Sequence, residues 1–244
     1  YERLKFLSIF SSNLDEFFRV RYPSVIALSK LDRKTRMKAS IGSEDIPEKI
    51  QTEINRQLDI FGAILLKEII PELKNNGIVF YYNSEIRIEH LAEIKEIFLS
   101  HVLSFIQPIF LDGNSAQTFV PANSHLYFVV SLKESNEGLL KQAIINIPSN
   151  KLKRFFTLTP LNDVEYVIFI DDIIRENLAL IFPGLEIIGV YSIKFNRDAE
   201  LQMIDEYSGD LLNKIEKEIK KRDIGLPSSF LYQNGIPVTL QLFL

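Results

Sequence analysis

The sequence predicts an N-terminal antiparallel helical bundle followed by an α+β domain with a mixed sheet. Three observations carry this. Apolar residues in the first third recur every three or four positions. After Gly77 they gather instead into short β-branched and aromatic runs. Asn75-Asn76-Gly77, a helix stop, sits where one pattern gives way to the other. The boundary therefore falls at 76/77, giving a helical domain over 1–76 and an α+β domain over 77–244. Both ends of the chain read as cut, the first inside a helix and the last inside a strand.

Leu4, Leu7, Phe10, Leu14, Phe17 and Arg21 step along one helix face. A second stripe runs Ile46, Ile50, Ile54, Leu58, Phe61, Leu65, Ile69 and Leu73. Asp45 and Glu48 with Pro47 mark its start as a capping box, and Pro71 should kink or split it. Strands are expected over 78–82, 126–132, 143–147, 155–158, 166–170 and 187–195, with a helix over 88–106 stopped before Pro108. Asp171 or Asp172 should cap a helix to about Ile181. A last helix is expected over 199–222, with an acidic start and a basic end. A hairpin-like segment turning near Gly235 follows.

Composition removes several functions. The absence of cysteine excludes disulfide frameworks, thiolate zinc sites and cysteine nucleophiles. Residues 1–82 hold 13 Lys+Arg against 11 Asp+Glu, and the whole chain is at −4, so no basic field suited to nucleic acid exists. The basic run Arg33 to Lys38 reads as a solvated connection rather than a nucleic-acid site. No stretch is apolar for long enough to span a bilayer. His90, His101 and His125 form no metal-binding pattern, and no phosphate-loop or nucleophile-elbow motif is present.

Two segments break local rules. Ser11-Ser12-Asn13 places three poor helix formers inside a strong helical stripe. Asn13 lies at the edge of that apolar face. Its amide offers a donor beside an acceptor, the pattern an adenine edge matches, but Asn13-x-x-Glu16 is also a capping box. In Tyr191-Ser192-Ile193-Lys194-Phe195-Asn196-Arg197-Asp198-Ala199-Glu200 apolar and polar residues alternate as in a half-buried strand. Arg197 arrives at the strand-to-helix junction, where its fork of donors could meet a phosphate or simply pair with Asp198 or Glu200.

The run Glu2-Arg3-Leu4-Lys5-Phe6-Leu7-Ser8-Ile9-Phe10-Ser11-Ser12-Asn13-Leu14-Asp15-Glu16-Phe17-Phe18-Arg19-Val20-Arg21 closely resembles the N-terminal signature of bacterial polyphosphate kinases of the histidine-phosphorylating type. The similarity continues through Ile147-Pro148-Ser149-Asn150, Phe169 to Leu178 and Ile181-Phe182-Pro183-Gly184. The segment Tyr191 to Glu200 is similar to that family's middle-domain signature. Pro227-Ser228-Ser229-Phe230 departs from the family's Pro-Val-Arg and lacks its positive charge.

The resemblance implies an enzyme that transfers the terminal phosphate of ATP to polyphosphate, reversibly, with magnesium, through a phosphohistidine. It implies a helical N-terminal domain, a middle head domain used in dimerisation, and C-terminal catalytic domains beyond this chain. The phosphorylated histidine and the metal-linked residues belong to that C-terminal part. No catalytic residue and no magnesium ligand is therefore assigned here, and the fragment alone should be inactive. Asn13 matches the family's adenine contact. Arg197 matches the head-domain motif without a ligand role carried over from the family, and its guanidinium stands as the candidate for a phosphate or polyphosphate contact. Implied partners are ATP, polyphosphate, the C-terminal domains of the same polypeptide and a second subunit, with no nucleic acid. The implied location is the cytoplasm, including the surface of the inner membrane. The competing reading is a non-catalytic, stand-alone interaction or dimerisation module.

Overall fold

The computed structural model describes residues 2–31, 45–82, 84–111, 119–134, 138–197 and 227–241. The chain divides into two compact units. The first comprises Tyr1–Pro71, Ala122–Ser124 and Asn196–Ser229; the second comprises Glu72–Pro121, His125–Phe195 and Phe230–Leu244. The basic run 33–38 and the expected helix over 199–222 lie outside the described residues.

Within the first unit, the described residues up to Pro71 are largely helical. Helix α1 (Glu2–Glu16) passes through a π turn (Phe17–Arg21) into α2 (Tyr22–Ser29). Helix α3 (Ile46–Ile64) passes through a second π turn (Leu65–Ile69) into α4 (Ile70–Asn75). Each π turn ends two residues before a proline, Pro23 and Pro71. A proline offers no N–H to the carbonyl four residues back and its ring collides with that carbonyl. Closure over five residues, as from the Ile70 N–H to the Leu65 carbonyl, relieves the collision without ending the helix. Pro71 thus divides the helical run, and a change of winding absorbs it. Phe18, Ile54 and Ile69 are buried, and the Phe10 and Phe61 rings meet at 5.8 Å. Asp45 stands at the N-cap of α3 but makes no side-chain cap bond; its carboxylate pairs with Lys49 at 2.6 Å. Gly77, with φ of 77°, follows the end of α4, as a helix stop requires.

The second unit is built on two sheets. In the smaller, β1 (Ile78–Tyr81) pairs parallel with β6 (Val164–Phe169), and β6 pairs antiparallel with β5 (Phe155–Leu161), so the sheet is mixed. The larger has the order β2-β4-β3-β7-β8, from Pro108–Phe110, Leu140–Ile147, Leu126–Glu134, Leu185–Arg197 and Pro227–Tyr232. The β2–β4, β4–β3 and β3–β7 pairings are antiparallel. Phe128, Val130, Leu132, Ala143, Ile145 and Ile147 join one apolar core with α5 (Ile88–Ile97) and α6 (Ile170–Glu176). Tyr127, Val129, Ile144, Ile193 and Phe195 face a second core closed by Ile236 and Leu240. Both faces of the large sheet are therefore covered. That is why Tyr127–Val130 is a continuous apolar run rather than an alternating one.

Two expectations are corrected. Neither Asp171 nor Asp172 caps a helix. The N-cap of α6 is Phe169, in extended backbone with no side-chain cap bond, and both aspartates lie in the first turn. Asn177 separates α6 from a short α7 (Leu178–Ile181), donating from Nδ2 to the Ile173 carbonyl at 2.8 Å. The turn at Gly235, with φ of 86°, leads into a short helix α8 (Val238–Gln241) rather than a second hairpin strand. Among the described residues, no helix is long and apolar enough to cross a membrane.

Candidate functional site

Asn13 sits inside α1, which runs unbroken from Glu2 to Glu16. The capping box Asn13-x-x-Glu16 is therefore not formed, and Glu16 instead accepts from Arg19 Nε at 3.0 Å. The helix continues through Ser11-Ser12-Asn13 because Leu7, Phe10, Leu14 and Phe17 are all partly buried on its inner stripe. Packing of that stripe outweighs propensity costs of about 0.5 kcal/mol per residue. Asn13 itself is exposed. One and two turns before it on the same face stand Ile9, 47% exposed, and Phe6, 69% exposed. The outer face of α1 thus presents an amide in line with uncovered apolar side chains.

Two residues on, Asp15 faces the other way. Its Oδ1 accepts from Asn196 Nδ2 at 3.2 Å, within the first unit. Asn196 Oδ1 in turn accepts from Ser124 Oγ at 3.2 Å. The Arg197 N–H donates to Asn123 Oδ1 at 2.8 Å. Asn196 is 1% exposed and Arg197 7% exposed, so the polar end of β7 is buried and hydrogen-bonded. Ser124 has φ of 56°, a left-handed conformation that serine seldom adopts.

The histidines take other roles. His90 is buried between Tyr81 and the Thr159 carbonyl. His101 Nδ1 lies 2.5 Å from Ser100 Oγ on an exposed helix face. Asn150 Nδ2 donates to His125 Nε2 at 2.9 Å. A second charged cluster opens α6. Arg154 grips Asp171 with two contacts, 2.9 Å and 2.8 Å, and Arg175 stands 3.8 Å from Asp172. Burial pushes Asp172 up to about 6, against the pull of Arg175, and Asp171 adds repulsion in the same upward direction. Burial likewise raises Asp171, opposed by Arg154. Among the described residues no group of three or more His, Asp or Glu could hold a metal ion.

A family profile described as the polyphosphate kinase N-terminal domain matches residues 1–81. One described as the polyphosphate kinase middle domain matches residues 89–244. The chain belongs to the polyphosphate kinase family. Polyphosphate kinase 1 of Chlorobaculum tepidum is 31% identical over 92% of this chain and 33% of its own length. The polyphosphate kinase of Escherichia coli K12 is 27% identical over 98% of this chain and 35% of its own. The crystal structure of polyphosphate kinase from Porphyromonas gingivalis superposes with a TM-score of 0.77 at 28% identity. It covers all of this chain, which spans 33% of that one. The chain thus corresponds to the N-terminal and middle domains and to about a third of the length of these kinases.

A hydrogen bond joins the Asn13-Leu14-Asp15 segment to the Asn196-Arg197 segment. The flanking pair Asn123-Ser124 also enters this network. Sequence reasoning missed Asp15, Asn123, Ser124 and Asn196 as members. The signal available for Asn196 was its position as the last polar residue of an alternating strand before a cation. Nothing in the sequence marks Asn123-Ser124 beyond turn-forming composition.

Proposed function

We propose that this chain supplies the nucleotide-positioning and subunit-pairing part of an ATP–polyphosphate phosphotransferase. Asn13 holds the adenine edge, and the phosphohistidine lies in the part of the kinase beyond this chain. The observation that carries the reading is the exposed amide of Asn13 on an unbroken helix. Packing does not use this amide and no cap consumes it. A donor beside an acceptor suits the amino group and ring nitrogen of adenine, and the exposed Ile9 beside it suits a flat apolar ring.

The role of the chain in the reaction is positioning. Phosphoryl transfer depends on bringing the γ-phosphate and its acceptor into line, and fixing the base contributes to that alignment. Magnesium accompanies ATP and neutralises phosphate charge, and this reading gives it no ligand from this chain. Buried Arg197 is the candidate for a phosphate or polyphosphate contact from this chain. Subunit pairing is supported by the outer face of the small sheet. There Phe80, Phe155 and Phe169 share ring contacts, Tyr82 meets Phe169, and Phe155 is 48% exposed.

The test is Asn13→Ala in the complete kinase, with steady-state kinetics in ATP. A rise in KM for ATP of about tenfold, with an unchanged melting temperature, is expected. An unchanged KM would remove Asn13 from the nucleotide site.

A further inference from the structure

We infer that Asn196 is a positioning residue for Asn13, acting through Asp15 to set where α1 presents its outer face. The inference rests on the nucleotide reading of Asn13 and adds a residue to it. Asp15 and Asn196 are 181 positions apart in sequence, and their side chains meet at 3.2 Å. Successive residues of a helix are turned by 100°, so positions 13 and 15 leave α1 about 200° apart. Holding Asp15 from one side therefore aims Asn13 at the other.

Helix α1 needs such a holder, since none of its residues is fully buried and a π turn begins immediately after Glu16. Its inner stripe of Leu7, Phe10 and Leu14 is only partly buried, so a directional bond to Asp15 adds to what sets its rotation. Asn196 is suited to the task. Its amide is buried, its nitrogen donates to Asp15 and its oxygen accepts from Ser124. Both ends of the side chain are engaged, so the amide cannot turn over without losing both bonds. The loop on its far side is also fixed, because Asn123 accepts from the Arg197 N–H and Ser124 is held in a left-handed backbone conformation. An aspartate at 196 would keep the size but lose the donor. It would also bring a second carboxylate to within hydrogen-bond distance of Asp15.

The experiment is a double-mutant cycle in the complete kinase, reading KM and kcat for ATP with Asn196→Asp, Asn13→Ala and the double variant. Asn196→Asp is expected to raise KM for ATP by about five- to tenfold and leave kcat within about twofold. The double variant is expected to match Asn13→Ala alone, because Asn196 has nothing to position once the amide is gone. Equal additional loss in the Asn13→Ala background overturns the inference, as it assigns Asn196 a general structural role. An unchanged KM in Asn196→Asp, with Asn13→Ala impaired, overturns it while leaving the nucleotide reading in place. An unchanged KM in Asn13→Ala overturns both. Should Asn196→Asp fail to fold, Asp15→Ala removes the same bond from the helix side and is read by the same criteria. Asp15→Asn, whose oxygen can still accept from Asn196, is expected to stay near the wild-type KM.

Discussion

Tyr81 and His90 share a buried hydrogen bond of 2.8 Å between the hydroxyl and Nδ1. The Thr159 carbonyl lies 2.8 Å from His90 Nε2, and a carbonyl can only accept, so Nε2 carries the proton. Nδ1 of the neutral ring is then the acceptor and the Tyr81 hydroxyl donates to it. The same hydroxyl oxygen accepts from the Arg87 N–H at 3.2 Å. One side chain thereby ties β1, α5 and β5 together in a buried site, with the Tyr166 ring 4.6 Å from the imidazole.

His90→Ala should therefore destabilise the chain by about 2 kcal/mol, since it opens a cavity and takes from the buried Tyr81 hydroxyl the acceptor of its proton. Urea unfolding of the variant measures this. A loss under about 0.5 kcal/mol would show that the network contributes little.

Asp172 makes the fold sensitive to pH in an unusual direction. Its folded pKa of about 6 stands above the ordinary 3.8, so the folded protein disfavours the charged form. The sign follows from linkage: the group lowers stability above about pH 6, and this penalty is relieved as pH falls from 6 towards 4. Asp172→Asn removes the charge and keeps the shape. It should gain about 1–2 kcal/mol at pH 8, after allowance for solvent screening, and nothing at pH 4. Thermal melts of both proteins across that range check the prediction; a gain independent of pH would refute it.

The fold class was legible because the two halves have different apolar periods, and the change of period coincides with Gly77. The limits of legibility have physical causes. Strand β2 covers only three residues and opens with Pro108, too little for a period to register. The aspartates of α6 imitate a cap, but Arg154, 17 residues upstream, neutralises Asp171, and no periodicity connects those positions. At the candidate site Asn13 was legible from its chemistry and from the family resemblance. Its anchor was not, because the contact of Asp15 with Asn196 joins segments that only folding brings together.

Gly189 gives room to its neighbour. A Cβ there would stand 2.9 Å from Cε2 and Oη of Tyr191, whose ring lies across the glycine. The register of β3 against β7 also shifts beside it, pairing Ser131 with Gly189 but Leu132 with Ile187. Gly189→Ala should force the Tyr191 ring off the second core and cost about 1–3 kcal/mol. In a Tyr191→Leu background the same change should cost under about 0.5 kcal/mol, since the obstructing ring is gone. Chemical denaturation of the four proteins decides; equal costs in both backgrounds would place the strain elsewhere.

Arg154 and Asp171 form a partly buried ion pair in the second unit. The guanidinium reaches both carboxylate oxygens, at 2.9 Å and 2.8 Å, and its carbon stands 5.8 Å from the centre of the Phe169 ring. A lysine can supply the charge but not the planar fork, so Arg154→Lys should cost about 1–2 kcal/mol. Arg154→Ala should cost about 3 kcal/mol at pH 7.5, because it leaves a carboxylate desolvated without its partner. Burial already raises the Asp171 pKa, and loss of Arg154 removes the main opposing pull. In the alanine variant Asp171 therefore takes up its proton at a higher pH than in the wild type. As pH falls and the carboxyl becomes neutral in both proteins, the charge contribution to the difference vanishes. The Arg154→Ala deficit should accordingly shrink to the packing and hydrogen-bond part by pH 4. Urea denaturation at both pH values measures this, and a deficit that stays constant or grows on acidification would show that Asp171 is not the group Arg154 stabilises.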